Sequence, residues 1–428
     1  MEMKKYKLGE IATIQTGPFG SQLHNEDYVL EGTPIVTVEH LGNKYFTTQN
    51  LPLVSTEDKE RLKKYLLKEN DIVFSRVGSV DRCSFVSEKE NGWLFSGRCL
   101  RVRPNKEFVN PQWLYYFFTQ QYFKDYVRSK AVGCTMPSLN TELLSDLVIT
   151  TRPLESQQKI AAVLSALDDK IALNRRMNAK LEQMAKRLYD HWFVQFDFPN
   201  ADGKPYKSSG GKMEYNEVLK REIPDGWEVG KVSELLKCDI PGDWGEEEIK
   251  GNHKYKVNCI RGCDMIDMTD LPVRYILESN YKKLLQKDDF VIEISGGSPT
   301  QSTGRIVQIT DEIIKRFNGK IICSNFCHGI RLNDKDYASY FFQMWNMFYL
   351  NNIFFNYEGK TSGLKNFQFD TFVSETWYIP PKELVRKYHE VVSKFRKQID
   401  KNESETQKLT ALRDRLLPLL MNGQVEVR

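Results

Sequence analysis

Ile160, Leu164, Leu167, Ile171, Asn174, Asn178, Leu181, Ala185 and Leu188, in the run IAAVLSALDDKIALNRRMNAKLEQMAKRL, keep a 4-3 spacing. Tyr388, Val392, Phe395, Ile399, Asn402, Thr406, Leu409, Arg413 and Leu416 keep it again, each pair differing by one offset (388 − 160 = 416 − 188 = 228). This alternation places one mainly apolar stripe along a helix, the pattern of a coiled-coil seam. Matching positions in register without a gap indicate duplication. The chain therefore holds two copies of one plan, each ending in a long helix.

Upstream the repeat is looser. Leu66-Leu67-Lys68-Glu69-Asn70-Asp71-Ile72-Val73 answers to Leu284-Leu285-Gln286-Lys287-Asp288-Asp289-Phe290-Val291, and each leads into a Gly/Ser turn, Arg76-Val77-Gly78-Ser79 or Ser295-Gly296-Gly297-Ser298. Tyr116-Phe117-Phe118 matches Tyr340-Phe341-Phe342; Gly133, Thr135, Leu139 and Asn140 match Gly359, Thr361, Leu364 and Asn366; Pro153 or Pro380 then opens the helix. The scaffold repeats while the loops diverge, as expected if the two copies touch different things.

The 428 residues suffice for two ordinary domains plus extended helices. A formal net charge of +4 only weakly favours a polyanionic partner, so local basic loops must carry that case. The start of the chain lacks a basic stretch followed by an apolar one. The most apolar region, Tyr340 to Phe355, is broken by Gln343, Asn346, Asn351 and Asn352, too short and polar to span a bilayer. Eight scattered cysteines fit reduced thiols better than a disulfide framework. A cytoplasmic location is expected.

The expected fold class is α+β. Residues 1–152 read as a first domain of short strands and turns with an aromatic helix near Pro111–Val127, and 153–193 as a long helix. Residues 194–226, rich in Gly, Lys, Ser, Pro and Asn, read as a linker. Residues 227–381 repeat the globular plan, 382–422 the long helix, and 423–428 form a tail. Each helix, about 54 Å long at 1.5 Å per residue, must bury its seam, and the other copy is the obvious partner. Antiparallel pairing gives internal two-fold symmetry. Asn174 and Asn402, at matching seam positions near the helix midpoints, should then face each other and set register, unless they are merely tolerated polar breaks.

Turns that let a backbone approach phosphates, with Arg, Lys, Asn and Gln beside them for phosphate oxygens and base edges, suit DNA. The first domain offers Arg76, Ser79, Arg82, Lys130, Thr135 and Asn140; the second offers Ser298, Gln301, Ser302, Arg305, Lys360, Thr361, Lys365 and Asn366. Any one of these is as readily a solvated turn residue; their duplicated placement argues for contact. Gly17-Pro18-Phe19-Gly20-Ser21-Gln22 lacks the context of a nucleotide loop and reads as a structural turn. Gly359-Lys360-Thr361 is preceded by Phe354 where a phosphate-binding loop needs glycine, so no ATP site is expected. The aromatic runs suit core packing better than base stacking. Cys259, Cys263, Cys323 and Cys327 form two C-x₃-C pairs that resemble zinc ligands but read as ordinary buried thiols, and no metal site is expected. Asp225, Glu248 and Lys250 follow the order of a Mg²⁺-dependent nuclease motif, a pattern loose enough to arise by chance. No catalytic residues are expected.

Tyr189-Asp190-His191-Trp192-Phe193-Val194-Gln195-Phe196, Gly203-Lys204-Pro205 through Gly210-Gly211-Lys212-Met213, Ile223-Pro224-Asp225-Gly226-Trp227 and Leu416-Leu417-Pro418-Leu419-Leu420-Met421-Asn422-Gly423 resemble the specificity subunit of Type I restriction-modification systems. The resemblance covers essentially the whole chain. It implies two target-recognition domains reading an asymmetric, bipartite double-stranded DNA site, set apart by an antiparallel coiled coil. It also implies a non-catalytic role beside two modification (methyltransferase) subunits and restriction (translocase/endonuclease) subunits, which use S-adenosylmethionine, ATP and Mg²⁺; this chain binds none of these cofactors. The apolar Trp192, Phe193, Leu416, Leu417, Leu420 and Met421 at the helix ends are then expected to dock the methyltransferase. The alternatives are a coiled-coil scaffold that binds no DNA, and the nuclease.

Overall fold

The computed structural model describes residues 3–18, 22–133, 135–266, 268–296, 300–361 and 364–427. The chain forms two units, residues 1–171 with 408–428, and residues 172–407, each holding part of both long helices.

In the first unit an antiparallel sheet has the order Ala12–Thr16, Cys99–Pro104, Ile72–Ser75, Cys83–Phe85. Its central strand Ile72–Ser75 is buried throughout, which is why it reads as an apolar run without alternation. The helix Pro111–Thr119, started by Asn110 accepting the Trp113 N–H at 3.0 Å, lays Trp113, Tyr116 and Phe118 into the same core. A smaller sheet joins Thr33–Val36 to Leu94–Phe95 in parallel, and Lys4–Lys7 pairs with Val148–Thr151.

The second unit repeats this plan: Leu236–Pro241, Cys327–Leu332, Phe290–Glu293, Ile306–Gln308 in the large sheet, His253–Ile260 parallel to Ile321–Cys323 in the small one, and Glu228–Lys231 with Thr376–Ile379. The helix Ala338–Leu350 buries Tyr340, Phe341 and Trp345. Both aromatic runs are therefore core, as expected.

The repeated Asn70-Asp71 and Asp288-Asp289 share one local structure. Asn70 and Asp288 adopt left-handed backbone (φ 75° and 68°) to turn the chain into the strand. Asp71 and Asp289 accept the backbone N–H three residues back, at 2.8 and 2.6 Å. Each also takes two 2.7 Å bonds from an arginine of the neighbouring strand, Arg103 or Arg331. Gly17 and Gly242 are duplicated for another reason: a Cβ there would lie 2.2 or 2.0 Å from the carbonyl oxygen of Ser96 or Ser324. Gly17 thus lets two backbones approach closely, while Phe19, Gly20 and Ser21 of its loop lie outside the described residues.

The long helices, Leu154–Tyr189 and Lys382–Asn422, run antiparallel within each unit. In the first, Arg413 Nη1 bonds Asp168 Oδ1 at 2.8 Å, and Ile160 and Leu164 share a core with Leu420 and Met421. That contact explains an arginine at a seam position. In the second, the Tyr388 hydroxyl donates to the Ala185 carbonyl at 3.1 Å, and Asn178 Nδ2 reaches the Ile399 carbonyl at 3.5 Å. Asn174 and Asn402 meet, but not amide to amide. Asn174 Nδ2 donates to the Asn402 carbonyl at 3.4 Å and to Glu405 Oε2 at 2.8 Å, while Asn402 Nδ2 donates to Asn178 Oδ1 at 2.8 Å. The amide bonds across the seam are thus not two-fold symmetric, although the two asparagines meet.

Two sequence expectations change. Residues 194–226, read as a linker, carry the hairpin Met213–Asn216/Arg221–Pro224 and bury Phe196 and Ile223 in the second unit's core. The helix-end apolar residues do not form an open docking patch. Trp192 and Phe193 pack against Trp227, Tyr340 and Tyr388, and Leu420 and Met421 against the first unit's core, with Leu416 and Leu417 half-buried beside them. Exposing each large side chain would cost about 1.5–3 kcal/mol, so each domain keeps its own helix end as core. Among the described residues no helix is long and apolar enough to cross a membrane.

Candidate nucleic-acid interface

In both units the turn that follows the central strand meets the segment that follows the aromatic helix, though they are far apart in sequence. In the first unit Val77 and Val132 each bridge to Ser138, the Arg76 carbonyl accepts the Leu139 N–H at 2.8 Å, and the Pro137 carbonyl accepts the Gly78 N–H at 2.9 Å. In the second the same junction has become a three-stranded sheet, Ser295–Gly296, Leu364–Phe367 and Glu358–Thr361. The candidate residues cluster here because the duplicated scaffold brings these two loops together twice.

The first cluster is open and basic. Ser79, Arg82, Lys130 and Thr135 are exposed, with an Arg82 guanidinium N–H donating to the Leu41 carbonyl. Arg76 is half-buried, its Nη1 bonding the Gly97 carbonyl at 3.1 Å, which holds that turn against the next strand. Asn140 has a structural task, its Oδ1 accepting the Leu143 N–H at 2.7 Å to cap the helix Thr141–Ser145.

The second cluster is held more tightly. Glu358, nearly buried, accepts from Thr303 N at 2.7 Å and pairs with Lys365 Nζ at 3.0 Å, tying the loop to the hairpin. Trp345 Nε1 donates to the Gly304 carbonyl at 2.7 Å, where φ is +94° and a Cβ would strike the Phe354 ring. Arg305 spans the base of the loop: Nη1 to the Gly262 carbonyl, Nη2 to Gln301 Oε1, both 3.3 Å, and Nε 3.8 Å from Glu293 Oε2. Burial pushes the Glu293 carboxyl up while Arg305 draws it back, so the pair is only partly compensated. Asn366 Oδ1 accepts from Ser295 Oγ at 2.5 Å. Gln301 is exposed, whereas Ser302 is buried (5% exposed), which removes it as a direct DNA contact. Lys360 and Thr361 lie on the hairpin strand, and Ser298 lies outside the described residues.

Sequence reading missed Arg98 and Phe326. The Arg98 carbonyl accepts the Arg76 N–H (2.8 Å) and the Phe326 carbonyl accepts those of Ile294 and Ser295 (2.8 and 3.0 Å), so they hold equivalent places, both exposed, beside the two clusters. Their lack of similarity hid them: a repeat search selects what the copies share.

The rival motifs are not assembled. Asp225 pairs with Lys212 at 3.2 Å and Lys250 with Glu246 at 3.8 Å; among the described residues no hydrogen bond or ion pair joins Asp225 to Glu248 or Lys250. Cys259, Cys323 and Cys327 are buried in apolar clusters, where burial pushes the thiols of Cys259 and Cys327 up to about 12. Cys263 is exposed.

Two similar α+β domains, each with a loop junction and part of both long seam helices, define a duplicated two-domain protein. The family model "Type I restriction modification DNA specificity domain" matches residues 1–183. The Type I restriction enzyme MjaIX specificity subunit of Methanocaldococcus jannaschii is 28% identical over 75% of this chain and 71% of its own length. The HindI specificity subunit of Haemophilus influenzae is 24% identical over 99% of this chain and all of its own. In fold, the chain is similar to the crystal structure of a Type I restriction-modification S subunit from M. genitalium, with a TM-score of 0.61 at 15% identity, covering 98% of this chain and 96% of that one. The match to the specificity domain lies in residues 1–183, and the chain as a whole is similar to specificity subunits of Type I restriction enzymes.

Proposed function

We propose that the chain reads an asymmetric, bipartite DNA site, one half with each recognition domain, and carries methyltransferase and restriction subunits to it. The observation that carries this reading is the loop junction. The same backbone meeting occurs in both units, yet the side chains differ: Arg98 against Phe326, and the open Arg82–Lys130 surface against the clamped Gln301–Arg305–Lys365 group. Conserved architecture with divergent edges suits two unlike half-sites. The paired helices set the distance between the halves. Two methyltransferase subunits supply S-adenosylmethionine chemistry and the restriction subunits use ATP and Mg²⁺. With the helix ends buried, Leu173, Met177 and Met184 on the first long helix and Val391 and Leu412 on the second are exposed apolar contacts for a partner.

The test is methylation mapping in cells expressing the chain with its neighbouring methyltransferase, against the methyltransferase alone. A split motif with two unlike halves and a fixed gap, present only with this chain, is expected. A well-formed complex that adds no methylation would sink the reading in favour of a scaffold that does not touch DNA.

A further inference from the structure

The second unit holds a basic pocket that the base-reading loops do not use. Its cavity of about 300 Å³ is lined by Lys256 and Asn258 of the strand His253–Ile260, Val273, Arg316, Asn318 and Lys320. No carboxylate lines it. The helix Asp311–Arg316 ends in a turn with Asn318 and Gly319 in left-handed conformation (φ 54° and 70°), which returns the chain so that Lys320 stands beside the strand. Asn258 Nδ2 ties this turn down, donating to the carbonyls of Phe317 at 3.4 Å and Lys320 at 3.3 Å. Lys256 and Lys320 are exposed, and among the described residues neither has a carboxylate partner; Lys320 Nζ lies 5.0 Å over the Tyr255 ring. Arg316 contributes less, because it donates to the Met268 carbonyl at 2.7 Å and also faces Asp400 and Glu403. The field in the pocket rests on the two lysines.

The internal repeat shows that these lysines are not part of the scaffold. Ser96 N bonds the Val36 carbonyl at 2.8 Å and Ser324 N bonds the Ile260 carbonyl at 2.9 Å, aligning Val36 with Ile260 and Ser96 with Ser324. Counting back four residues along each strand (36 − 4 = 32, 260 − 4 = 256; 96 − 4 = 92, 324 − 4 = 320), Lys256 falls on Gly32 and Lys320 on Gly92. The fold stands in the first unit without either cation. Position supports the same conclusion. The strand that carries Asn258 leads to Gly262, whose carbonyl holds Arg305.

We infer that the pocket at Lys256 and Lys320 seats a backbone phosphate of the bound duplex, outside the bases read by the Gln301–Arg305 loop, and anchors the second domain on DNA whatever the sequence there. This rests on the DNA reading proposed above. The test is the binding of the full-length chain, across a salt series, to a duplex carrying the mapped motif and to one of unrelated sequence. K256Q/K320Q is expected to lower the slope of log affinity against log salt by about 1 to 2 and to weaken both duplexes by the same factor, with the preference between them kept. K256R/K320R should restore the slope. K387Q/K394Q, which removes the same charge from the second long helix, should leave it unchanged. An unchanged slope in K256Q/K320Q while the wild-type chain still prefers the motif overturns the pocket alone, and so does an equal loss in K387Q/K394Q. Absence of any preference in the wild-type chain overturns the DNA reading along with it.

Discussion

Asp289 is fully buried, and its two carboxylate oxygens hold Arg331 and the Gln286 N–H. Removing it strands the Arg331 guanidinium against the sheet and leaves the turn N–H without its acceptor. Asp289→Ala should lower the unfolding free energy by about 3 kcal/mol, the scale for breaking a buried pair by removing one partner. Lys287→Gln, which breaks a pair with Asp311 that is half exposed on both sides, should cost less than about 1 kcal/mol. Urea midpoints measure both, and a loss for Asp289→Ala no larger than that for Lys287→Gln would contradict the structural role. The repeated Asp71 and Asp289 were visible in the sequence. Their partners were not, because Arg103 and Arg331 lie 32 and 42 residues away on a neighbouring strand. Ser302 was misassigned for a related reason: loop composition suggests solvent, but the Thr303–Glu358 contact draws that stretch inward.

At the scale of the long helices, periodicity revealed the seam but not its side-chain bonding. Asn174, Asn178 and Asn402 form a polar knot in which each amide donor reaches the opposite helix, so sliding the pair by one turn would leave buried amides without partners. A knot of this kind fixes register, which a spacing device needs. Inserting one heptad into both helices adds 7 × 1.5 Å, about 10.5 Å, or about three base pairs of rise. The proposed function therefore predicts that methylation mapping of this variant yields both half-sites unchanged, with a gap about three base pairs longer. Changed half-sites at the old gap would refute the spacing role. The helix ends went the other way from expectation: Trp192 and Phe193 look like a surface patch beside a polar helix, and only the folded second unit shows Tyr340, Trp227 and Tyr388 covering them.

At the scale of the whole molecule, each unit has its own apolar core and its own loop junction. Exchanging residues 227–381 for the matching segment of another specificity subunit should therefore replace one half-site and leave the other as it was, read again by methylation mapping. Loss of both halves would mean that the two domains do not read DNA independently. The sequence by itself determined the duplication, the two seam helices, the buried aromatic runs and the family resemblance, because these depend on local periodicity and on the order of motifs along the chain. Tertiary structure alone decided which turns converge, that Ser302 and the helix ends are buried, that Arg98 and Phe326 hold equivalent exposed places, and that Lys256 and Lys320 share one pocket. The physical reason is that each of these depends on strands and loops tens of residues apart being hydrogen-bonded side by side, and no spacing along the chain records that.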